Sequence, residues 1–309
     1  MPPVIEVTQL SKRFGDFQAV RDLSFTVNRG DVYGFLGQNG AGKSTTIRML
    51  LTLIRPSSGS IMIEGENLFT NREKILKHTG AMIEKPDLYD YLTAAENLTV
   101  FARLSGFRPT RKLIMEKLDM VGLASRAGSK IKTFSQGMKQ RLGIAVAMVH
   151  DPSLIILDEP TNGLDPQGIA DIRKLIISLS RDFGKTLLVS SHLLGEMEQM
   201  ATRMIIIHQG AKIVEGDIKD LLDPEHVILE IYAVNNNMCR QWLSASAWSG
   251  KIQISDNDVS VVKIHRNEIP EITREMVMAG IDILSIKPKN TLEEYFLSLT
   301  KQVPDVESR

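Results

Sequence analysis

Between the apolar runs "DVYGFL" and "TIRMLLTLI" the chain places Gly37, Gln38, Asn39, Gly40, Ala41, Gly42, Lys43, Ser44 and Thr45. The order satisfies G-x-x-x-x-G-K-[ST], after a strand-like run and ahead of a helix-like one. Glycines let backbone amides turn inward and form a nest for phosphate oxygens. Lys43 adds a point charge for terminal phosphates, and Ser44 adds a hydroxyl for Mg²⁺. The helix starting at Lys43 points the positive end of its dipole at the same place. Such a pattern arises by chance in roughly one chain of this length in a hundred. The loop argues for phosphate binding, and leaves open what the phosphate's energy drives.

Further along, "LIILDEP" (Leu154–Pro160) is a buried-type strand ending in two acids. A carboxylate there can reach a Mg²⁺ held by Ser44, which suits Asp158, and Glu159 is placed to polarise a water. A pair of acids in a strand-ending turn is equally ordinary. Ser135, in "TFSQGMKQRLGIAVAMV", reads by itself as the N-cap of a helix. His192, in "VSSHLL", follows a strand, where it either bonds a terminal phosphate or caps the next helix.

The elements that must hold these residues alternate over about 220 residues. "VIEVTQL", "LSFTVN", "DVYGFLG", "SIMIEGENL", "SLIILDE" and "KTLLVSS" read as strands. "RMIIIHQGAKIVEGD" reads as a hairpin turning at "HQGAK". Helices are expected over Lys43–Leu53, Thr93–Leu104, Lys112–Val121, Ser135–Val149, Gln167–Ser180 and Leu193–Met200. Continuous apolar strands predict a parallel α/β sheet covered on both faces, with a helical insertion around Thr93–Val149. The alternating start predicts an antiparallel edge layer. After Asp223-Pro224, the strands "HVILEIYAV", "KIQIS", "VSVVKIH" and "IDILSIK", with helices at Ile269–Ala279 and "TLEEYFLSL", predict a small α+β domain. The expected division is 1–222 and 223–309.

The 309 residues carry 37 basic and 37 acidic side chains, so no global basic field points to nucleic acid as a partner. The single cysteine, Cys239, excludes an internal disulfide and fits a reducing compartment. No apolar run approaches the roughly 20 residues of a membrane helix, and the start "MPPVIEVTQLSKRFG" does not read as a signal peptide. Any membrane role is expected to come through a partner.

The phosphate loop, "FSQGM", "LIILDEP", "NGLDP" and "SSH" occur in an order and at gaps that resemble the ATP-binding subunits of ABC transporters over about residues 4–222. The resemblance implies ATP and Mg²⁺ as ligands. It makes Gly37–Ser44 with Thr45 the Walker A loop, Asp158 the Walker B aspartate and Glu159 the catalytic glutamate. Asp165 falls in the D-loop and His192 becomes the switch histidine. Phe14 (in "SKRFG") matches the aromatic that stacks on adenine, unless it is simply buried near a strand end. Ser135 and Gly137 take the signature positions that reach ATP on the opposite subunit, so a head-to-tail dimer is implied.

Two positions depart from the family pattern. The signature reads "FSQGM" instead of LSGGQ, with Gln136 and Met138 substituted while the serine and second glycine are kept. Glu84, in "GAMIEKPDLYDYLTAAENL", stands where a glutamine is usual. Its carboxylate either ligates Mg²⁺, adding negative charge near the γ-phosphate, or is a neutral surface choice. Both departures resemble the ATPases of bacitracin-resistance and lantibiotic-immunity exporters, as does the ending "TLEEYFLSLT". That likeness implies export of a peptide antibiotic through a separate membrane subunit, with this chain peripheral at the cytoplasmic face. Related ATPases export other drugs, lipids or ions. A translation-type or repair-type ABC protein would carry a second cassette or a coiled coil, and a small-molecule kinase would leave "FSQGM" and "NGLDP" unexplained.

Overall fold

The structure is a computed structural model that describes residues 3–221, 226–256 and 259–289. Two compact units divide the chain, Met1–Asp217 and Ile218–Arg309. The division precedes Asp223-Pro224 because the hairpin that completes the first unit ends at Asp217.

The first unit opens with β1 (Ile5–Phe14), β2 (Phe17–Val27), β3 (Val32–Leu36) and α1 (Lys43–Leu50). It continues through β4 (Ser58–Ile63), β5 (Glu66–Asn67), α2 (Arg72–Leu76) and β6 (Thr79–Met82). Helices α3 (Ala94–Leu104), α4 (Arg111–Met120) and α5 (Gln136–Ala147) follow as the expected insertion. Then come β7 (Leu154–Asp158), α6 (Pro166–Arg181), β8 (Thr186–Ser191), α7 (Leu194–Met200), β9 (Arg203–His208) and β10 (Ala211–Asp217).

The main sheet runs β10-β9-β3-β8-β7-β6, parallel except for β10. Every residue of β3, β7 and β8 is buried, as the apolar runs require of strands covered on both faces. The second sheet, β2-β1-β4-β5, is antiparallel throughout. Its inward residues, among them Ile5, Leu23, Phe25 and Ile61, share one core with Tyr33, Phe35, Ile156 and Leu188 of the main sheet. The β9–β10 turn places Gln209 and Gly210 at φ 47° and 79°, the two positive angles of a tight hairpin turn.

Two elements of this unit give little signal. Helix α2 has five residues, and β6 has four with glycine among them. A Cβ on Gly80 would sit 2.1 Å from the Ala147 carbonyl oxygen, so the close crossing of α5 removes the side chain that would reveal the strand.

The second unit begins with α8 (Ile218–Leu221) and β11 (His226–Ala233), followed by α9 (Asn236–Ala245). β12 (Ile252–Asp256), β13 (Val259–His265), α10 (Ile269–Met278) and β14 (Ile283–Lys289) complete its described part. The strand order β12-β13-β11-β14, antiparallel at each pair, is the split β-α-β, or ferredoxin-like, arrangement. Leu229, Ile231, Cys239, Leu243, Val262, Ile272 and Met276 form its core. Helix α9 was not expected, because "NNN" reads as a turn and only Cys239 and Leu243 are buried on it. Asn235 is in fact its N-cap, accepting from Met238 N–H at 3.1 Å. The helix expected at "TLEEYFLSL" lies outside the described residues. No helix among the described residues is long and apolar enough to cross a membrane.

Candidate nucleotide site

Strand β3 delivers the chain to Gly37, whose N–H donates to the Ser191 carbonyl at 3.3 Å and ties the loop to the end of β8. Gly42 has φ 105°, and a Cβ there would lie 2.6 Å from the Ala19 carbonyl oxygen. Only glycine fits both the backbone angle and the approach of β2. Thr46 Oγ1 donates to the Gly42 carbonyl at 2.9 Å, fixing the start of α1. Lys43 is 5% exposed, and its Nζ donates to the carbonyls of Gly37 at 2.7 Å and Gln38 at 3.2 Å.

Parallel pairing of β7 with β8 sets Asp158 beside Ser190. Ser190 Oγ donates to Asp158 Oδ1 at 2.5 Å and accepts from Glu159 N–H at 2.9 Å. One hydroxyl therefore orients both acids of the strand end. Burial pushes the Asp158 carboxyl above the usual carboxylate range, against the hydroxyls of Ser190 and Ser44, and the charges of Glu159 and Glu84 add to the rise. Its Oδ2 is buried with no hydrogen-bond partner.

That orphaned oxygen supplies the fit test for Mg²⁺. A hard cation takes oxygen donors, and Mg²⁺ is commonly held by one or two carboxylates with phosphates and water completing the shell. Ser44 and Asp158 offer such a set, and the described residues include no cluster of three or more acidic, histidine or cysteine side chains suited to a metal. The donors fit an ion shared with a phosphate ligand.

Glu159 adopts φ 50°, an uncommon left-handed angle for a side-chain-bearing residue. Its Oε1 lies 3.2 Å from Lys43 Nζ, and its Oε2 accepts from His192 Nδ1–H at 2.8 Å. The phosphate loop, the end of β7 and the end of β8 thus meet at one carboxylate. Glu84, also at a left-handed φ of 55°, gives Oε1 to Arg48 Nη2 of α1 at 2.7 Å, with its side chain 61% exposed. Phe14 closes the β1–β2 hairpin opposite Phe17 and is 49% exposed, so the buried alternative does not hold. Lys12 Nζ stands 4.9 Å from its ring centroid.

Ser135, Gly137 and Asp165 gather elsewhere. They line a concavity of about 330 Å³ with Arg141, Leu164 and Gln167, and no phosphate-loop residue belongs to it. Ser135 caps α5, accepting from Met138 N–H at 3.3 Å, and Asp165 caps α6, accepting from Gly168 N–H at 2.9 Å. The capping reading of Ser135 therefore holds, and the cap leaves the serine exposed at the concavity.

Residues 20–162 match the family model described as ABC transporter. The chain is 41% identical to the bacitracin transport ATP-binding protein BcrA of Bacillus licheniformis over 300 residues, 97% of this chain and 98% of that one. This chain belongs to the ABC transporter ATP-binding proteins. It is also 39% identical to the lantibiotic transport ATP-binding protein SrtF of Streptococcus pyogenes, across 69% of this chain and 91% of that one. Among solved structures, it resembles the dimeric post-hydrolysis state of the ATP-binding cassette MJ0796 bound to ADP and Pi. That match has a TM-score of 0.62 and 25% identity, and covers 69% of this chain and 98% of the other.

Within this ABC ATP-binding protein, two residues join the site that sequence reasoning did not single out. Ser190 lies in the strand "LLVSS", and only the pairing of β8 with β7 sets its hydroxyl beside Asp158. Arg48 sits one turn beyond Ser44 on α1, and only the fold brings it to Glu84.

Proposed function

We propose that this ABC ATP-binding protein hydrolyses ATP to power export of a peptide antibiotic, bacitracin-like or lantibiotic-like. The full-length likeness to the bacitracin transport protein carries the substrate class. The convergence of Lys43, Asp158, Glu159 and His192 supports the chemistry.

In this reading the ATP phosphates lie on the amides of Gly37–Thr45, with Lys43 at the terminal phosphates and Phe14 on the adenine. Ser44 and Asp158 would hold Mg²⁺, with Glu84 a further donor. When bound, Mg²⁺ neutralises charge on the β- and γ-phosphates. Glu159 orients and polarises the attacking water, and Ser190 Oγ keeps its backbone in place by accepting from the Glu159 N–H at 2.9 Å. His192 donates to Glu159 from Nδ1, so a neutral ring has only an acceptor left at Nε2. The ring is free to donate to a phosphate oxygen once Glu159 turns to water.

The separation of Ser135, Gly137 and Asp165 from the phosphate loop favours a composite site. Two copies meet head to tail, each supplying that concavity to the other's ATP. A separate multi-spanning membrane subunit rests near Glu84 and the "YDYLTAAENL" segment, which holds this chain at the cytoplasmic face. Dimer closure then moves that partner.

Expression of the chain with its membrane subunit in a bacitracin-sensitive host tests the reading. Raised tolerance that is lost in Glu159→Gln is expected. Unchanged sensitivity to bacitracin and lantibiotics, with both proteins present in the membrane, contradicts the substrate class. Absence of Mg²⁺-dependent ATPase activity in the purified complex contradicts the chemistry.

A further inference from the structure

We infer that Glu196 is a positioning residue that sets Glu159 and His192 in register. The inference rests on reading Glu159 as the residue that polarises water. Thr161 follows Glu159 by two residues, is 4% exposed, and donates from Oγ1 to Glu196 Oε2. Glu196 is buried too, in the first turn of α7, the helix that starts two residues after His192.

The backbone around Thr161 passes this bond to both neighbours. Asn162 N–H donates to the Glu159 carbonyl at 3.1 Å, and Leu164 N–H donates to the Thr161 carbonyl at 3.2 Å just before Asp165 caps α6. Thr161 therefore sits inside the turn that carries Glu159 at one end and Asp165 at the other. Helix α7 is seated in turn: Met197 Sδ packs so tightly on β3 that a Cβ on Gly34 would lie 3.0 Å from it. Two links then join the turns after β7 and β8, the direct bond of Glu159 to His192 and the buried bond of Thr161 to Glu196.

The chemistry of Glu196 favours this role over simple packing. Its Oε1 is buried without a hydrogen-bond partner, an arrangement that costs stability and that an apolar residue would avoid. A carboxylate makes a shorter and stronger bond to a hydroxyl than an amide does. The left-handed Glu159 backbone needs restraint from outside its own strand, and this bond supplies it.

The test measures steady-state ATPase of the full chain as Glu196→Ala, Thr161→Val and Glu196→Gln, with thermal melts and binding of a fluorescent ATP analogue alongside. Displacing reacting groups by about 1 Å costs up to about 100-fold, so kcat should fall at least about tenfold in the alanine and valine variants. KM for ATP and analogue affinity should stay within about twofold, because no phosphate-binding group has moved. Glu196→Gln keeps an acceptor for Thr161 and should recover most of kcat. Combining Thr161→Val with Glu196→Ala should add no further loss, since both remove one bond. Parent kcat in folded Thr161→Val and Glu196→Ala overturns the inference, as does a loss that Glu196→Gln does not relieve. If Glu196→Ala fails to fold, Thr161→Val and Glu196→Gln decide alone. Glu159→Gln run in parallel separates the two readings, because parent turnover there removes the base itself and not merely its support.

Discussion

Lys43 Nζ and Glu159 Oε1 lie 3.2 Å apart, so the proposed phosphate cation and the proposed water-polarising carboxylate neutralise each other directly. Both are largely buried, where such a pair is far stronger than at the surface. A terminal phosphate offers Lys43 a more highly charged partner and releases Glu159 to a water molecule. Nucleotide arrival would thus arm the base. Lys43→Ala should weaken ATP binding by at least tenfold in equilibrium titration with a fluorescent analogue. Parent-like affinity would separate Lys43 from the phosphates.

Asp158 gives a pH signature. Its folded-state pKa is raised by burial above the unfolded value of about 3.9. The folded chain therefore holds that proton longer, and its contribution is most favourable below the unfolded value and declines as pH rises through the folded one. Without nucleotide or Mg²⁺, the melting temperature of Asp158→Asn should gain on the parent from about pH 4 upward, by a few degrees at neutral pH. Mg²⁺ with ATP should then stabilise the parent more than the variant. Parallel melting curves across pH, with equal stabilisation by Mg²⁺ and ATP, would remove Asp158 from the ion.

Glu84 has two claims on its carboxylate, Arg48 at 2.7 Å and the proposed Mg²⁺. An anionic oxygen binds a hard cation better than an amide oxygen. Glu84→Gln should raise the Mg²⁺ needed for half-maximal ATPase in the complex while leaving hydrolysis possible. Arg48→Ala should lower it, because the carboxylate is freed. Superimposable Mg²⁺ titrations for parent and both variants would show that Glu84 is a surface residue paired with Arg48 and nothing more.

The folded layers were legible wherever burial leaves a period in the sequence. Continuous "LIIL" and "LLVS" gave buried parallel strands, and alternating Ile5, Val7 and Leu23, Phe25 gave the antiparallel layer. β6 was not legible, since Gly80 yields its side chain to α5, and α9 was masked by asparagines that cap instead of turn. The phosphate loop and Asp158-Glu159 could be read because one strand end carries each. Ser190 and Arg48 could not, because their partners lie 32 and 36 residues away and only sheet pairing and the α1 packing bring them together.

Ser135 lines a concavity that includes no phosphate-loop residue, so the role proposed for it at ATP requires a second copy. Ser135→Arg places a bulky cation where the opposite copy's ATP approaches. Nucleotide should still bind the monomer, while ATP-driven dimerisation is lost. An unchanged dimer fraction by sizing chromatography with ATP would take "FSQGM" out of the site.

The second unit has its own core, and no proposed ATP contact falls in it. A chain ending at Asp217 should therefore bind ATP as the full chain does. Collapse of affinity in a truncated chain that keeps its helical circular dichroism would mean that the second unit contributes to the nucleotide site.

The most direct test of the account replaces the carboxylate on which the three loops converge. In Glu159→Gln the amide keeps the shape of the side chain but no longer polarises water, so turnover should drop by about 100-fold or more while ATP binding persists. Trapped before hydrolysis, the variant should run as a dimer on sizing chromatography with ATP and Mg²⁺, and as a monomer with ADP. A Glu159→Gln chain that hydrolyses ATP at the parent rate, or that binds ATP and stays monomeric, would contradict both the chemistry and the shared site.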